Sequence, residues 1–241
     1  YILDLLPEHS LINYLLIQGF DIFIVEWAKP ENSENSISFD YYISGYLKNG
    51  IEKVKNITGN PKINLLGYCM GGDFVLIFTT LFPESVNAVI NLAGPVDFEK
   101  AGILSKWMDK EVINIDKFIS SFGSVPTEIM DMVFPWIKPS ERIKATSFLI
   151  KNPENTLYVR LYKAIVQWRL DNKSIPGEFC KKYIKDLYQE NKLIKGELEI
   201  NDKKVNLADI ICPILNIIGK KDYITPPEST LPLIDLVGSK E

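Results

Sequence analysis

Ile63-Asn64-Leu65-Leu66-Gly67-Tyr68-Cys69-Met70-Gly71-Gly72-Asp73-Phe74 is the stretch whose reading decides the fold. An apolar run ends in Gly-x-Cys-x-Gly, and an apolar segment of helical character follows at once. This is the context of a nucleophile elbow: a strand, a sharp strained turn, then a helix. Such a turn lifts one side chain off the top of a sheet, and glycines on either side remove Cβ atoms that would collide there. The lifted side chain here is the thiol of Cys69. The helix that starts behind it is expected to lower the thiol pKa through its positive dipole end. The backbone N–H of Met70 is expected to point at a developing oxyanion. Thiolates attack thioesters well, so the pattern points to acyl transfer on Cys69. A small buried cysteine in a tight turn is the plainer reading, and the strand–turn–helix context disfavours it.

Working outward, the same rhythm continues on both sides. Upstream, Tyr1 to Leu6 reads as the end of a strand, and Ser10 as the cap of a helix that stops at Gly19. Asp21 to Trp27 reads as a strand, mostly apolar as expected when both sheet faces are covered. Lys29 to Ser38 is polar and reads as loop. Phe39 to Ile57 reads as a helix with Tyr42, Ile43, Tyr46, Leu47, Ile51 and Val54 on one side, ended by Gly59-Asn60-Pro61. Downstream of the elbow, Gly71 to Phe82 reads as a helix and Val86 to Leu92 as a strand. This alternation predicts a parallel α/β sheet. Residues 98 to about 190 show helical periodicity and proline breaks but no clear strand, which predicts a mostly helical insertion. Leu198 to Val205 then reads as a short hairpin around Asn201-Asp202, and Pro213 to Ile218 as a strand leading into Gly219-Lys220-Lys221-Asp222. The expected organisation is an α/β core over 1–97, a cap insertion over 98–190, and the core resumed over 191–241.

A nucleophile of this kind needs an acid and a base, which in α/β-hydrolases follow it in that order. Asp222 stands on a loop after a late strand, where the acid belongs; a turn aspartate is the alternative. The chain's single histidine, His9, precedes Cys69 and sits in a turn, so a solvated turn histidine is the better reading for it. The chain starts at Tyr1 and stops at Glu241 shortly after a strand-and-loop unit. The expectation is therefore a fragment of a longer protein, its basic histidine lying past residue 241 and the fragment itself inactive. Asp97 is either a site residue at a strand exit or the N-cap of the next segment. The paired lysines 181–182, 203–204 and 220–221 read as solvated surface before they read as a cofactor site.

Composition narrows the remaining classes. The 241 residues, 46% hydrophobic and 24% charged, suit one sizeable domain with an insertion. A net charge of −4 without a long basic run argues against nucleic-acid binding. Cys69, Cys180 and Cys212 lie far apart and in odd number, which argues against disulfides and zinc and fits a reducing cytosol. No apolar run approaches a membrane span and no signal peptide is visible.

Several stretches together resemble the polyhydroxyalkanoate synthase family. They are Tyr1 to Leu5 with Gln18 to Asp21 and Glu26-Trp27; Leu66 to Gly72; Gly94 to Phe98; Trp168 ahead of Ile175-Pro176-Gly177; Tyr188 to Leu193; and Asp222 within Gly219 to Pro227. They recur in order along nearly the whole chain. The modest core length resembles the shorter synthases that work with a second, unrelated subunit. The resemblance implies an α/β-hydrolase fold and an acyltransferase that polymerises (R)-3-hydroxyacyl-coenzyme A. Cys69 would hold the growing polyester as a thioester, a histidine would deprotonate Cys69 or the incoming hydroxyl, and Asp222 would assist. Met70, and a backbone group near Ile2, would supply the oxyanion hole. No cofactor is implied, coenzyme A being part of the substrate and a product. The family implies a homodimer in the cytoplasm, at the surface of polymer granules. A dienelactone-hydrolase-like enzyme also uses Gly-x-Cys-x-Gly-Gly, but its acid follows the nucleophile closely, whereas Asp222 is distant. An inactive α/β-hydrolase-fold module that binds granules or a partner is the alternative from another class.

Overall fold

The computed structural model describes residues 1–27 and 35–240. In chain order they form β1 (Asp4–Leu6), β2 (His9–Ser10), α1 (Leu11–Ile17), α2 (Phe39–Tyr41), a π-helical turn (Tyr42–Leu47), α3 (Lys48–Thr58), β3 (Ile63–Tyr68), α4 (Met70–Leu81) and β4 (Val86–Leu92). There follow α5 (Gly102–Trp107), α6 (Ile115–Phe122), β5 (Ser124–Val125), α7 (Thr127–Val133), α8 (Pro139–Lys151), α9 (Thr156–Leu170), β6 (Ile175–Pro176) and α10 (Gly177–Lys182). The chain closes with a π-helical stretch (Tyr183–Gln189), α11 (Lys192–Lys195), β7 (Glu199–Ile200), β8 (Lys203–Lys204), β9 (Ile214–Ile217), α12 (Pro227–Thr230) and α13 (Leu233–Leu236). These elements divide into two compact units, one of residues 1–30 and 125–175, the other of residues 31–124 and 176–241.

The larger unit is built on a three-stranded parallel sheet of order β3-β4-β9. Leu65 pairs with Val89 and Val89 with Ile214, so β4 runs through the centre. A parallel sheet needs cover on its faces, and α4 supplies it with an apolar surface on all sides. Leu76, Ile77 and Phe78 on α4 are wholly or almost wholly buried, as are Val86 and Val89 on β4. Each such side chain contributes about 1.5–3 kcal/mol relative to exposure. Phe39, at the start of the helical run 39–58, is wholly buried against Phe74, Phe179 and Tyr183, with ring centroids 5.3–5.7 Å apart. The expected helix over 39–57 therefore forms, with a π-helical turn inside it. The hairpin expected around Asn201-Asp202 forms as β7 and β8, and both turn residues take positive φ, 48° and 62°.

The smaller unit joins the β1–β2 pair and α1 to α7, α8 and α9. Ser10 caps α1 by accepting from the Asn13 N–H, as its residue type predicts. Glu8 pairs with Arg160 at 2.7 Å, and Phe148 and Tyr158 tie α8 to α9 edge to face. None of α1, α7, α8 and α9 carries a fully buried residue. The strand expected over Asp21 to Trp27 does not form. Phe23, Ile24 and Val25 are each 46% exposed and join no ladder. β-branched and aromatic residues favour a strand only where a partner edge receives it. Of the loop expected over 29–38, residues 29–34 lie outside the described residues.

Candidate active site

The elbow sits where β3 gives way to α4. Cys69 occupies the N-cap of α4 with φ 53° and ψ −123°, a conformation that L-residues with a side chain rarely take. The turn is held from both ends. The Cys69 N–H donates to the Leu92 carbonyl at 2.9 Å, and the Gly72 N–H donates to the Cys69 carbonyl at 2.7 Å. Close packing explains the glycines. A Cβ at Gly67 would lie 2.1 Å from the Gly71 carbonyl oxygen, and one at Gly72 would lie 2.2 Å from Asn91 Oδ1. Gly71 is different: nothing lies within 4 Å of where its Cβ would be. The glycines that close packing requires are thus Gly67 and Gly72, and the expectation that both neighbours in Gly-x-Cys-x-Gly are sterically forced holds only for the first.

Beneath the turn runs an amide ladder. Asn91, wholly buried on β4, donates from Nδ2 to the Gly94 carbonyl at 2.9 Å and to Asn216 Oδ1 on β9 at 3.0 Å. Asn216 donates onward to the Thr230 carbonyl at 3.1 Å. Asn91 Oδ1 accepts no hydrogen bond from a described residue and fills the space between Gly72 and Gly94.

Asp222 lies on the loop after β9, as its position in the chain predicts. Its Oδ1 accepts from the N–H groups of Ile224 and Thr225, at 2.9 and 3.0 Å, and its Oδ2 from the Thr225 hydroxyl at 3.2 Å. These bonds fix the carboxylate within its own loop, near enough to Cys69 for its charge to act on the thiol. The thiol itself departs from expectation. Burial chiefly, then the Asp73 carboxyl, push its pKa up to about 11, and the Met70 N–H opposes them without prevailing. Desolvation of the sulfur outweighs the helix end.

The residues that pattern reading missed lie behind the thiol. Asp73 on α4 is wholly buried, and its Oδ2 accepts from the Tyr183 hydroxyl at 2.5 Å. Tyr183 and Tyr188 come from the π-helical stretch, and Tyr188 is packed against Phe98. The one available signal was an acid inside an otherwise apolar helix. Asp97 resolves as a cap: its Oδ1 accepts from the Glu99 N–H at 3.2 Å and from Asn191 Nδ2 at 2.8 Å. Asn191 Oδ1 accepts in turn from the Phe98 N–H at 2.9 Å.

Ile2 and His9 both belong to the smaller unit, Ile2 in the turn before β1 and His9 in β2. Cys180 is buried, and burial pushes its thiol up to about 12. Lys181 pairs with Glu178 at 2.6 Å and Lys182 with Asp40 at 2.5 Å, ordinary surface engagements. Among the described residues no cluster of His, Cys, Asp or Glu could hold a metal ion, and no helix is long and apolar enough to cross a membrane.

The alpha/beta hydrolase fold family matches residues 4–240, in keeping with a strained strand–turn–helix on a parallel sheet. The poly(3-hydroxyalkanoate) polymerase subunit PhaC of Allochromatium vinosum is 30% identical over 246 residues, covering 100% of this chain and 68% of that protein. The chain belongs to the PhaC family. Its relative in Haloferax mediterranei, also named poly(3-hydroxyalkanoate) polymerase subunit PhaC, is 37% identical over 244 residues. That match covers 100% of this chain and 49% of that PhaC. A PhaC of Synechocystis is 32% identical, over 98% of this chain and 64% of that protein. The chain thus spans about half to two thirds of the length of these PhaC relatives.

Proposed function

We propose that the whole protein is a polyhydroxyalkanoate synthase, an acyltransferase that polymerises (R)-3-hydroxyacyl groups from their coenzyme A thioesters. The observation that carries this reading is the conformation of Cys69, a thiol held at positive φ at the N-terminus of α4 in a chain of the PhaC family. The Cys69 sulfur, as thiolate, attacks the thioester carbonyl. A carbon–sulfur bond to Cys69 forms, the bond to the coenzyme A sulfur breaks, and coenzyme A leaves as a thiolate that takes up a proton. The Met70 N–H is one donor to the oxyanion between these states. Asp222 orients and charges a histidine base. The single histidine of residues 1–241 is His9, in β2 of the smaller unit, and it precedes Cys69 in the chain, against the nucleophile–acid–base order of such enzymes. The base then activates the hydroxyl of the next hydroxyacyl unit, and the polyester grows on Cys69.

The same reading carries the rest of the family's setting. No cofactor takes part, since coenzyme A enters with the substrate and leaves as product. The enzyme works in the cytoplasm at the surface of polymer granules, as a homodimer and with a second, non-homologous subunit. The test is coenzyme A release from 3-hydroxybutyryl-coenzyme A by the full-length protein. Cys69→Ala is expected to abolish release and Asp222→Asn to reduce it strongly. Release at the wild-type rate from the Cys69→Ala protein would remove Cys69 as nucleophile, whereas no release from the unsubstituted full-length protein would leave an inactive binding module as the alternative.

A further inference from the structure

Among the described residues, no cation acts on the carboxyl group that stands behind the thiol. Asp73 lies one turn further along the helix that Cys69 caps, and none of its surface reaches solvent. Its Oδ2 accepts from the Tyr183 hydroxyl, while Oδ1 meets no hydrogen-bond partner among the described residues. Among the described residues, the ionisable groups that act on this pair are few. Tyr183 and Tyr188 approach from the π-helical stretch; Tyr68 on β3 and Asp222 on the loop after β9 act on the thiol side. None of them is a cation. A buried carboxylate is costly unless several donors satisfy it, and one tyrosine hydroxyl leaves half of this group bare.

We propose that Asp73 is a positioning residue that acts through Cys69: the carboxyl and the thiol stand one helical turn apart in a dry site that no cation of the described residues enters, and they carry a single negative charge between them. Thiolate forms at Cys69 while Asp73 keeps its proton, and ionisation of Asp73 suppresses it. Burial raises the carboxyl well above its ordinary range, and the Asp73 charge is the second cause, after burial, of the raised thiol. Two such groups titrate as a unit, each with its pKa dependent on the state of the other. Asp73 thereby sets the pH range over which the nucleophile is available. This inference deepens the synthase reading and rests on it for the role of Cys69. Its test needs no acyl substrate.

The experiment is the pH dependence of Cys69 alkylation by iodoacetamide in the whole protein, read on the Cys69 peptide by mass spectrometry so that Cys180 and Cys212 do not contribute. In the unsubstituted protein the logarithm of the rate is expected to rise with pH, flatten as Asp73 ionises, and rise again. In Asp73→Asn the curve collapses to one ionisation, with its midpoint lower by roughly one pH unit. Asp73→Thr, small and neutral, serves as the second variant and is expected to shift the same way. Thermal unfolding reports that each variant is folded. A midpoint unchanged or raised in either folded variant overturns the proposal, and so does a curve for the unsubstituted protein that fits one ionisation. If coenzyme A release survives Cys69→Ala, the synthase reading fails while the shared charge at this pair can still stand. If alkylation shows no coupling while Cys69→Ala is inactive, the role of Asp73 fails alone.

Discussion

At the scale of single residues, the elbow separates glycines that look alike. Gly72 abuts Asn91 Oδ1 and the Gly94 Cα, so Gly72→Ala forces a methyl group into filled space. A loss of about 1–3 kcal/mol is expected, measured by denaturant unfolding. Gly71 lies in the first turn of α4 with open space at its Cβ position, and its φ is not positive. Gly71→Ala is expected to be neutral or to stabilise by about 0.5–1 kcal/mol, because alanine is the better helix former. The thiol offers a second check at this scale. An acid raised from 9.0 to about 11 is less ionised at any given neutral pH. The thiolate fraction of Cys69 at pH 8 is then about a hundredfold below that of an ordinary cysteine. Alkylation at pH 8 is expected to be slow in proportion, with the peptide carrying Cys180, raised to about 12, slower still.

At the scale of elements, local chemistry and pairing partners divide the outcome between them. The strands β3, β4 and β9, the helix α4 and the hairpin turn were legible because each carries its own signal: an apolar run, a glycine pair, an Asn-Asp turn. Both turn residues of that hairpin sit at positive φ, the geometry that favours Asn-Gly. Asp202→Gly is expected to raise stability by about 0.5–1 kcal/mol, read as an increase in the urea midpoint with an unchanged slope. Asn201 is better left alone, since its side chain donates to Ser44 Oγ at 2.7 Å and its N–H to Asp40 Oδ2 at 3.0 Å. Residues 21–27 were illegible for the opposite reason. Their composition announces a strand, but a strand is a relation between two segments, and no partner is written in one of them. The candidate site was legible in the same uneven way. Cys69 and Asp222 show through turn and loop context, whereas Asp73, Asn91 and Tyr183 meet only after the chain has folded.

At the scale of the whole molecule, the buried acid imposes a slope on stability. A carboxyl whose folded pKa is raised binds more protons folded than unfolded. Its contribution is fully present below the unfolded value of 3.8 and is lost as pH rises through the folded value. The unsubstituted protein is therefore expected to lose stability from this group as pH climbs above about 4, and Asp73→Asn to flatten that part of the profile, measured as melting temperature across pH. The sign is opposite to that of a salt-bridged aspartate.

The pair formed by Asp97 and Phe98 with Asn191 has a consequence of another kind. It makes a neck. The chain leaves at Phe98 and comes back to the same point 93 residues later, where one amide side chain holds the backbone of Phe98 and the carboxylate of Asp97. Whatever happens between those residues happens inside a closed loop. Because closing a longer loop costs little more than closing a shorter one, exposed turns of the segment are free to be lengthened, provided that Phe179, Tyr183 and Tyr188 keep their places behind the elbow. A cut inside it should likewise separate nothing: a single trypsin nick beside the exposed Lys144 leaves β4 on one piece and β9 on the other, still paired strand to strand. The nicked protein is expected to elute as one species in native size exclusion and as two bands under denaturing conditions.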